Sequence, residues 1–427
     1  MSGYITKYVE VPNETTVSFK DRGLKLETAS DAEPVVSEIR ACENLCTLCL
    51  SGNTIGVDAA RAIAGALKEK PTLRRALWSD IFTGRLRSEI PLALEALGDA
   101  VSSSGAVLTE LDLSDNAFGP DGVRACTSLL TSDAGRSIQV LKFHNNGLSS
   151  AGGEILAKAL ESSRSTALSE RAALKVIVCG RNRLENEGAT ALAQTFEKLG
   201  TLEEVSLYQN GINASGISAL ARSFTTNTSL RYVDLNDNTF TAEGGKAMAQ
   251  VLPRLSVLEF LNFDDCLIRD AGVDAIAEVF EEHCARLREV HFAFNEVSVG
   301  PGARLFKALA KKPSINYVNL NGNEFGEDGV TQLTTMAESL DCADALQSMS
   351  DDEGGDEDDD DVGDEDGEDD DTSASELQEV DTSGVVTSPD SSKASLSAIS
   401  DCASPRRNED DLVNQIASIS LTQTQAE

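Results

Sequence analysis

An α/β solenoid, in which short parallel strands alternate with helices, is predicted from three features of the sequence. The pattern Leu-x-x-Leu-x-Leu-x-x-Asn recurs, with variations, along the 427 residues. Its copies end at positions 53, 81, 116, 146, 182, 210, 238, 266, 295 and 323, so most steps are 28 or 29 residues. Hydrophobic residues make up 41% of the chain but aromatics only 5%, which suits thin repeated layers better than one large globular core. Together these features predict an array of leucine-rich repeats.

Each copy of the pattern predicts a strand, a turn and a helix. The Leu-x-Leu alternation has a period of two, which is typical of a short strand with one buried face. The recurrent Asn carries a donor and an acceptor, so its side chain can satisfy backbone groups at the turn between neighbouring repeats. A Gly-containing turn and small or aliphatic residues at helical spacing follow, as in 216–224 and 272–280. A unit of about 28 residues is the long, ribonuclease-inhibitor-like repeat, which forms a crescent with a parallel concave sheet and outer helices.

Composition divides the chain into four parts. They are an N-terminal cap at 1–44, the repeat array at 45–345, an acidic disordered segment at 346–371 and a Ser/Thr-rich disordered tail at 372–427. Within the array the Asn is lost at Ile81 and replaced by Cys266. The acidic segment is expected to be disordered because it repels itself and cannot bury apolar surface.

The charge balance constrains the partner and the compartment. The chain has 71 Asp and Glu against 36 Lys and Arg, a net charge of −35; 16 of the acids lie within 351–371, which leaves −19 on the rest. This argues against nucleic-acid binding, which needs a basic face, and favours a basic partner or the long-range steering of one. No apolar run reaches the roughly 18 to 20 residues that cross a bilayer. Nine cysteines without an apolar leader predict a reduced intracellular compartment.

No catalytic or metal-binding set emerges from the motifs. Neither Gly-x-Ser-x-Gly nor Gly-x-x-x-x-Gly-Lys-Ser/Thr occurs, and the three histidines are scattered. Cys42, Cys46 and Cys49 supply three thiols at mixed spacing, whereas a structural zinc site needs four ligands. The sequence therefore predicts no metal and no cofactor of its own.

Two places in the array depart from the simple repeat. The 35-residue step after position 81 includes an extended loop, residues 79–91, that carries Arg85 and Arg87. This loop is either a functional addition or a longer connection whose arginines are merely solvated. Asn145 directly precedes the structural Asn146, so it should project at the carboxyl end of its strand. It is either a functional group or an exposed polar residue with no special role.

Four stretches are more specific than the generic repeat: SDIFTGRLRSEIP at 79–91, SDNAFGP at 114–120, HNNGL at 144–148 and CGRNRLEN at 179–186. Through them the chain strongly resembles the Ran GTPase-activating proteins over about residues 1–370. The resemblance implies a regulator, rather than an enzyme, that binds Ran in its GTP form and stimulates GTP hydrolysis. Members of the family are understood to order the GTPase's own catalytic glutamine without inserting an arginine finger. No cofactor is expected, because GTP and magnesium belong to the partner.

The resemblance also assigns site residues. The family's essential arginine matches Arg85, which is expected to anchor the extended loop, and the asparagine that approaches the glutamine matches Asn145. An amide donates and accepts at once, so it can fix a glutamine side chain that orients water. Arg87 is expected to make a charge contact with the GTPase. Further partner contacts on the same rim are expected from Asn182, Asp237 and Asp265.

Attachment to the nuclear pore is left open by the resemblance. Animal members carry a helical domain with a sumoylation lysine past the acidic run, but here the 56 residues after Asp371 contain only Lys393, without the flanking pattern. Plant members carry an N-terminal targeting domain, for which 1–44 is too short. A cytoplasmic location is expected, with Ran-binding proteins as further partners. The spacing of an export signal is present at Leu412, Ile416, Ile419 and Leu421.

A non-catalytic repeat scaffold is the alternative. Ribonuclease-inhibitor-type proteins bind protein partners on the concave face without acting on a GTPase. Such a scaffold gives no reason for the period to break between 81 and 116 with an arginine-bearing loop.

Overall fold

The computed structural model describes residues 15–165 and 174–352, in which strands and helices alternate along the chain. This confirms the predicted leucine-rich-repeat solenoid. The strands are β1 Thr16–Ser18, β2 Lys25–Leu26, β3 Thr47–Cys49, β4 Thr54–Ile55, β5 Arg75–Leu77, β6 Glu110–Asp112, β7 Val140–Lys142, β8 Val176–Val178, β9 Glu204–Ser206, β10 Tyr232–Asp234, β11 Phe260–Asn262, β12 Glu289–His291 and β13 Tyr317–Asn319.

The helices follow the strands as the repeat pattern predicts. They are α1 Glu33–Ala41, α2 Val57–Leu67, α3 Ile90–Ser103, α4 Gly119–Thr131, α5 Ser149–Ser165, α6 Glu185–Leu199, α7 Ala214–Phe224, α8 Thr241–Val251, α9 Arg269–Glu282, α10 Val299–Ala310 and α11 Gly326–Ser339. Short 3-10 turns lie at Gly135–Ser137, Leu252–Arg254 and Ala343–Ala345.

Eleven of the described strands form one parallel sheet, and their order in the sheet is their order in the chain. Strands β2 and β4 pair separately, outside this sheet. The register aligns the same repeat position in every strand, so Leu111 of β6 lies opposite Leu141 of β7, and Leu141 opposite Ile177 of β8. Because equivalent apolar residues are in line, each repeat buries its apolar face against both neighbours.

The core lies between the sheet and the layer of helices. Leu111, Leu141 and Ile177 are each at most 1% exposed. Buried aromatics of successive repeats pack against one another; the rings of Phe118 and Phe143, for example, lie edge to face with centroids 5.6 Å apart. These contacts explain how a chain with few aromatics fills a long core.

A ladder of buried asparagines joins the repeats, as the sequence predicts. In a typical rung, Nδ2 of Asn146 donates to the carbonyl of Leu113 in the preceding repeat at 2.9 Å. Its Oδ1 accepts from the backbone N–H of Asn116 at 2.8 Å. At the Cys266 position the thiol donates to the carbonyl of Leu235 at 3.5 Å, a longer and weaker bond. The ladder satisfies backbone groups that the turns would otherwise leave unpaired.

Both described ends of the array extend further than the sequence pattern indicates. At the N-terminal end, residues 15–44 form two short strands and a helix, with β1 paired to β3 in the main sheet. At the C-terminal end, Oδ1 of Asp352 accepts from the backbone N–H groups of Phe325 and Gly326 at 2.7 and 2.9 Å. The first residues of the acidic segment therefore cap α11, in contrast to the expected disorder from 346 onwards. The remainder of that segment and the tail lie outside the described residues.

Within 15–165 and 174–352, none of the helices combines the length and the apolar character that a membrane crossing requires.

Candidate functional site

One position in each repeat lies in the turn at the carboxyl end of the strand. The residue immediately before the ladder position has a left-handed backbone in every copy of the pattern, and we call these residues the turn row. They are Gly52, Asp80, Asp115, Asn145, Arg181, Gln209, Asp237, Asp265, Phe294 and Gly322. The φ values of the non-glycine members lie between 48° and 59°. Asp and Asn tolerate this conformation better than most residues because their short polar side chains bond locally.

Backbone hydrogen bonds hold the turn row in place. The N–H of Asp115 donates to the carbonyl of His144 at 2.8 Å, and that of Asn145 donates to the carbonyl of Gly180 at 2.9 Å. The same bond recurs further along, from Gln209 to Asn236 at 2.9 Å. From Gly52 to Phe294, each turn-row residue is thus tied to the next repeat by its backbone N–H.

Asn145 lies in the turn row where the sequence places it, and its side chain is held by a neighbour. Nδ2 of Asn145 donates to Oδ1 of Asp115 at 2.9 Å. Asn145 is partly exposed, whereas the adjacent Asn146 is fully buried in the ladder. The amide of Asn145 is therefore both oriented and accessible.

His144 directly precedes Asn145 in the chain, and its side chain contacts Tyr208. The hydroxyl of Tyr208 is 3.1 Å from Nδ1 of His144, and the centroids of the two rings are 5.2 Å apart. Burial lowers the pKa of His144 below its usual value, and the charge of Arg181 adds to this, while the charge of Asp115 acts in the opposite direction. The shift favours the neutral imidazole at neutral pH.

The extended loop 79–91 is anchored by Arg85. Its guanidinium forms an ion pair with Glu27, and its Nε donates to Oγ1 of Thr54 at 3.1 Å. The Arg85 side chain is only 10% exposed. Thr54 also donates its hydroxyl to the carbonyl of Thr83 at 2.7 Å. The loop is therefore fastened to the two repeats before it, and the charge of Arg85 is paired with that of Glu27 within the chain.

The tip of the loop faces solvent and reaches the first turn of α4. Leu86 is 67% exposed, and Nη2 of Arg87 lies 3.2 Å from the carboxylate of Asp121. A Cβ placed on Gly119 would lie 3.7 Å from Nη2 of Arg87 and 3.8 Å from the carbonyl oxygen of Gly147. The structure therefore brings Arg87 to the same side of the array as the Asn145 turn.

Asn182 is a rung of the ladder, and the expectation that it contacts a partner is wrong. It is fully buried. Its Nδ2 donates to the carbonyls of Phe143 and Cys179 at 2.8 and 3.0 Å, and its Oδ1 accepts from the N–H of Asn146 at 2.9 Å. A side chain without exposed surface, whose donors and acceptor are engaged within the chain, is not available to a partner.

Asp237 and Asp265 lie in the turn row, in two neighbouring repeats that are several repeats after loop 79–91 in the chain. Together with Arg183 and Gln209 they line a groove of about 400 Å³. Burial raises the pKa of Asp265 above its usual value, and the charges of Asp237 and the adjacent Asp264 add to the increase. The groove therefore favours a cationic group, in keeping with the basic partner expected from the net charge.

No group of three or more His, Cys, Asp or Glu side chains is arranged to hold a metal ion within 15–165 and 174–352. The residues that the structure brings together are an exposed amide, an anchored loop and a row of polar turn residues. Such a set can orient a partner's side chain through hydrogen bonds.

Comparison with known proteins shows which proteins this chain is similar to. The sequence model of the leucine-rich repeat matches residues 106–125 and 226–249. The Ran GTPase-activating protein 1 of Xenopus laevis is 58% identical over 338 residues, which are 79% of this chain and 58% of that protein. The chain is a leucine-rich-repeat homologue of the Ran GTPase-activating proteins.

Two further Ran GTPase-activating proteins match. That of Drosophila melanogaster is 46% identical over 348 residues, covering 81% of this chain and 58% of the relative. The Ran GTPase-activating protein 2 of Caenorhabditis elegans is 51% identical over 198 residues, covering 46% of this chain and 21% of the relative. The chain thus spans somewhat more than half the length of its frog and fly relatives.

Proposed function

We propose that this chain stimulates the hydrolysis of GTP by Ran, and that it does so by positioning a side chain of the GTPase. The homology to proteins named Ran GTPase-activating protein supports the activity. One observation carries the mechanism: the amide of Asn145 is accessible and is held at 2.9 Å by Asp115 on a rigid turn. A fixed amide can donate to and accept from a glutamine side chain, which in turn orients the attacking water.

Arg85 has a supporting role in this mechanism. Stimulation by an arginine finger requires a guanidinium that reaches the transferred phosphate. The guanidinium of Arg85 is instead paired with Glu27 and nearly buried. Arg85 therefore acts by fixing loop 79–91, whose exposed Leu86 and Arg87 then contact the GTPase.

The GTP form of Ran is the proposed partner, and charge guides it to the turn row. Asp237 and Asp265 form an acidic part of that row, and the chain as a whole is strongly acidic. Opposite charges on two proteins raise the rate of encounter and help set their relative orientation. Basic transport factors are further proposed partners, guided by the acidic segment, and Ran-binding proteins are further proposed partners of the chain.

The proposed location is the cytoplasm, with export directed by the segment from Leu412 to Leu421. This segment lies outside the described residues and is proposed on its sequence alone. The test is the distribution of a fluorescent fusion in which Ile419 and Leu421 become Ala. Nuclear accumulation supports the export signal, and an unchanged distribution removes it.

The activity is tested by phosphate release from GTP-loaded Ran with substoichiometric amounts of this chain. An activator is released after each hydrolysis, so one molecule should discharge many molecules of Ran. A non-catalytic scaffold would bind Ran, or another protein, without increasing phosphate release. Absence of turnover at saturating Ran would reject the proposed function.

A further inference from the structure

Asp115 and Asn145 occupy the same position in successive repeats. Both have left-handed backbones, with φ of 59° and 52°, and both backbone N–H groups are bonded to the following repeat. Their side chains meet through one hydrogen bond, from Nδ2 of Asn145 to Oδ1 of Asp115. Two fixed backbones and one side-chain bond leave the amide of Asn145 little freedom to rotate.

The chemistry of the pair sets which way the amide faces. A carboxylate only accepts hydrogen bonds, whereas an amide presents a donor on one side and an acceptor on the other. A carboxylate at Asp115 therefore selects the orientation of Asn145 in which the NH₂ group points towards it. The carbonyl oxygen Oδ1 of Asn145 then points away from Asp115, together with one remaining N–H.

We propose that Asp115 is a positioning residue, which holds Asn145 so that its carbonyl oxygen accepts a hydrogen bond from the side-chain NH₂ of the GTPase's glutamine. This inference rests on the proposed function. The glutamine's own carbonyl oxygen is then directed to the attacking water, from which it accepts a hydrogen bond. With Asp115 removed, the amide of Asn145 rotates and presents its NH₂ to the glutamine for part of the time, which favours the wrong orientation of the glutamine.

The experiment is a double-mutant cycle on the hydrolysis of GTP by Ran as stimulated by this chain, with kcat and KM measured separately. Asp115→Ala should lower kcat about 10- to 100-fold with little change in KM, because misplacement of a positioning group affects the chemical step. Asp115→Asn keeps an oxygen that can accept from Nδ2, so its loss should be smaller. In the Asn145→Ala background, Asp115→Ala should have no further effect, since it acts only through Asn145.

The matched control is Asp21→Ala. Asp21 is an exposed aspartate with a left-handed backbone, φ 57°, whose N–H is bonded to the carbonyl of Ser51 in the following repeat. It lies within residues 15–44, outside both the turn row and loop 79–91, so kcat should not change. Thermal unfolding of every variant checks that the fold is retained, and Asp115→Asn keeps the test valid if Asp115→Ala unfolds.

The outcomes separate this inference from the function on which it rests. Asp115→Ala with a normal kcat, with a raised KM alone, or with the same loss in the Asn145→Ala background would overturn the role of Asp115. If Asn145→Ala itself left kcat unchanged, the proposed positioning mechanism would fail, and the role of Asp115 with it.

Discussion

Arg85 and Glu27 form an ion pair that fastens loop 79–91 to residues 15–44, at the N-terminal end of the array. The two residues are separated by more than one full repeat in sequence, and the contact is made possible because consecutive repeats stack. The Arg85 side chain is only 10% exposed, whereas that of Glu27 is 66% exposed. The pair therefore connects a nearly buried cation to a surface carboxylate at the edge of the proposed binding region.

Glu27→Ala should reduce stimulation of GTP hydrolysis, although Glu27 lies outside the loop. Arg85→Ala is expected to lower the activity by orders of magnitude, because it removes the ion pair and the bonds to Thr54 together. Glu27→Ala should cause a smaller loss in the same direction, because the bond from Arg85 to Thr54 remains. Single-turnover hydrolysis measures both variants.

A control for the Glu27 prediction is Asp58→Ala, which breaks the exposed pair between Asp58 and Arg61 on α2. Both side chains of that pair are largely exposed, and no hydrogen bond or ion pair joins them to loop 79–91 among the described residues, so activity should be retained. Equal activity of Glu27→Ala and wild type would mean that anchoring of the loop does not depend on this carboxylate.

Asn182→Ala should destabilise the fold by about 2–4 kcal/mol, since it leaves several buried backbone groups without their partners. The bonds lost include those to Phe143, Cys179 and the N–H of Asn146. Urea unfolding of the variant measures the change. Asn44→Ala, at an exposed asparagine outside the ladder, should change stability by less than about 0.5 kcal/mol. A loss for Asn182→Ala as small as that of the control would contradict the role of the ladder.

Cys266→Asn should stabilise the array by about 1 kcal/mol, because it restores an amide to the one described ladder position that has a thiol. The thiol donates to Leu235 at 3.5 Å, whereas the equivalent amide of Asn238 donates to the carbonyl of Leu207 at 3.2 Å. Asparagine and cysteine have similar volumes, so little strain is expected in the surrounding core. A lower melting temperature than that of the wild type would show that this repeat does not accommodate the amide.

Glu204 makes stability depend on pH. It is buried on the sheet side of β9, with Oε2 lacking a hydrogen-bond partner among the described residues, and burial together with the charge of Glu203 raises its pKa to about 7. The folded state then binds a proton at Glu204 more tightly than the unfolded state does. The resulting contribution to the free energy of unfolding is fully present at low pH and is lost as the pH rises from about 4.5 through about 7.

Glu204→Gln should remove that dependence, since a neutral amide cannot ionise. The difference in unfolding free energy between variant and wild type should grow in favour of the variant as pH rises through this range. Urea unfolding at a series of pH values, with Glu243→Gln on α8 as the exposed control, measures the difference. A difference that stays constant with pH would contradict the raised pKa.

The sequence predicts the fold well because residues at the same position in successive repeats pair with one another in neighbouring strands. Leu111, Leu141 and Ile177 occupy the same place in successive copies, and the structure aligns them in neighbouring strands. The same register places Asn145 directly before a ladder residue. It also identifies Asp115 as the equivalent residue of the preceding copy.

The contacts of the site could not be read from the repeat. The pairing of Arg85 with Glu27 depends on the path of an irregular loop, for which no periodic pattern exists. Asn182 shows the opposite failure. Its position at a strand end suggested an exposed contact residue, but the ladder position that the repeat assigns to it is buried, and the packing of neighbouring repeats decides the outcome.

The most direct test is the structure of this chain bound to Ran with a non-hydrolysable GTP analogue. We predict that the Asn145 amide lies within about 3 Å of the catalytic glutamine's side-chain amide, with Oδ1 of Asn145 facing its NH₂ group. Arg85 should remain paired with Glu27, away from the phosphates. A complex in which Asn145 is remote from the glutamine, and Arg85 or Arg87 contacts the γ-phosphate, would contradict the account.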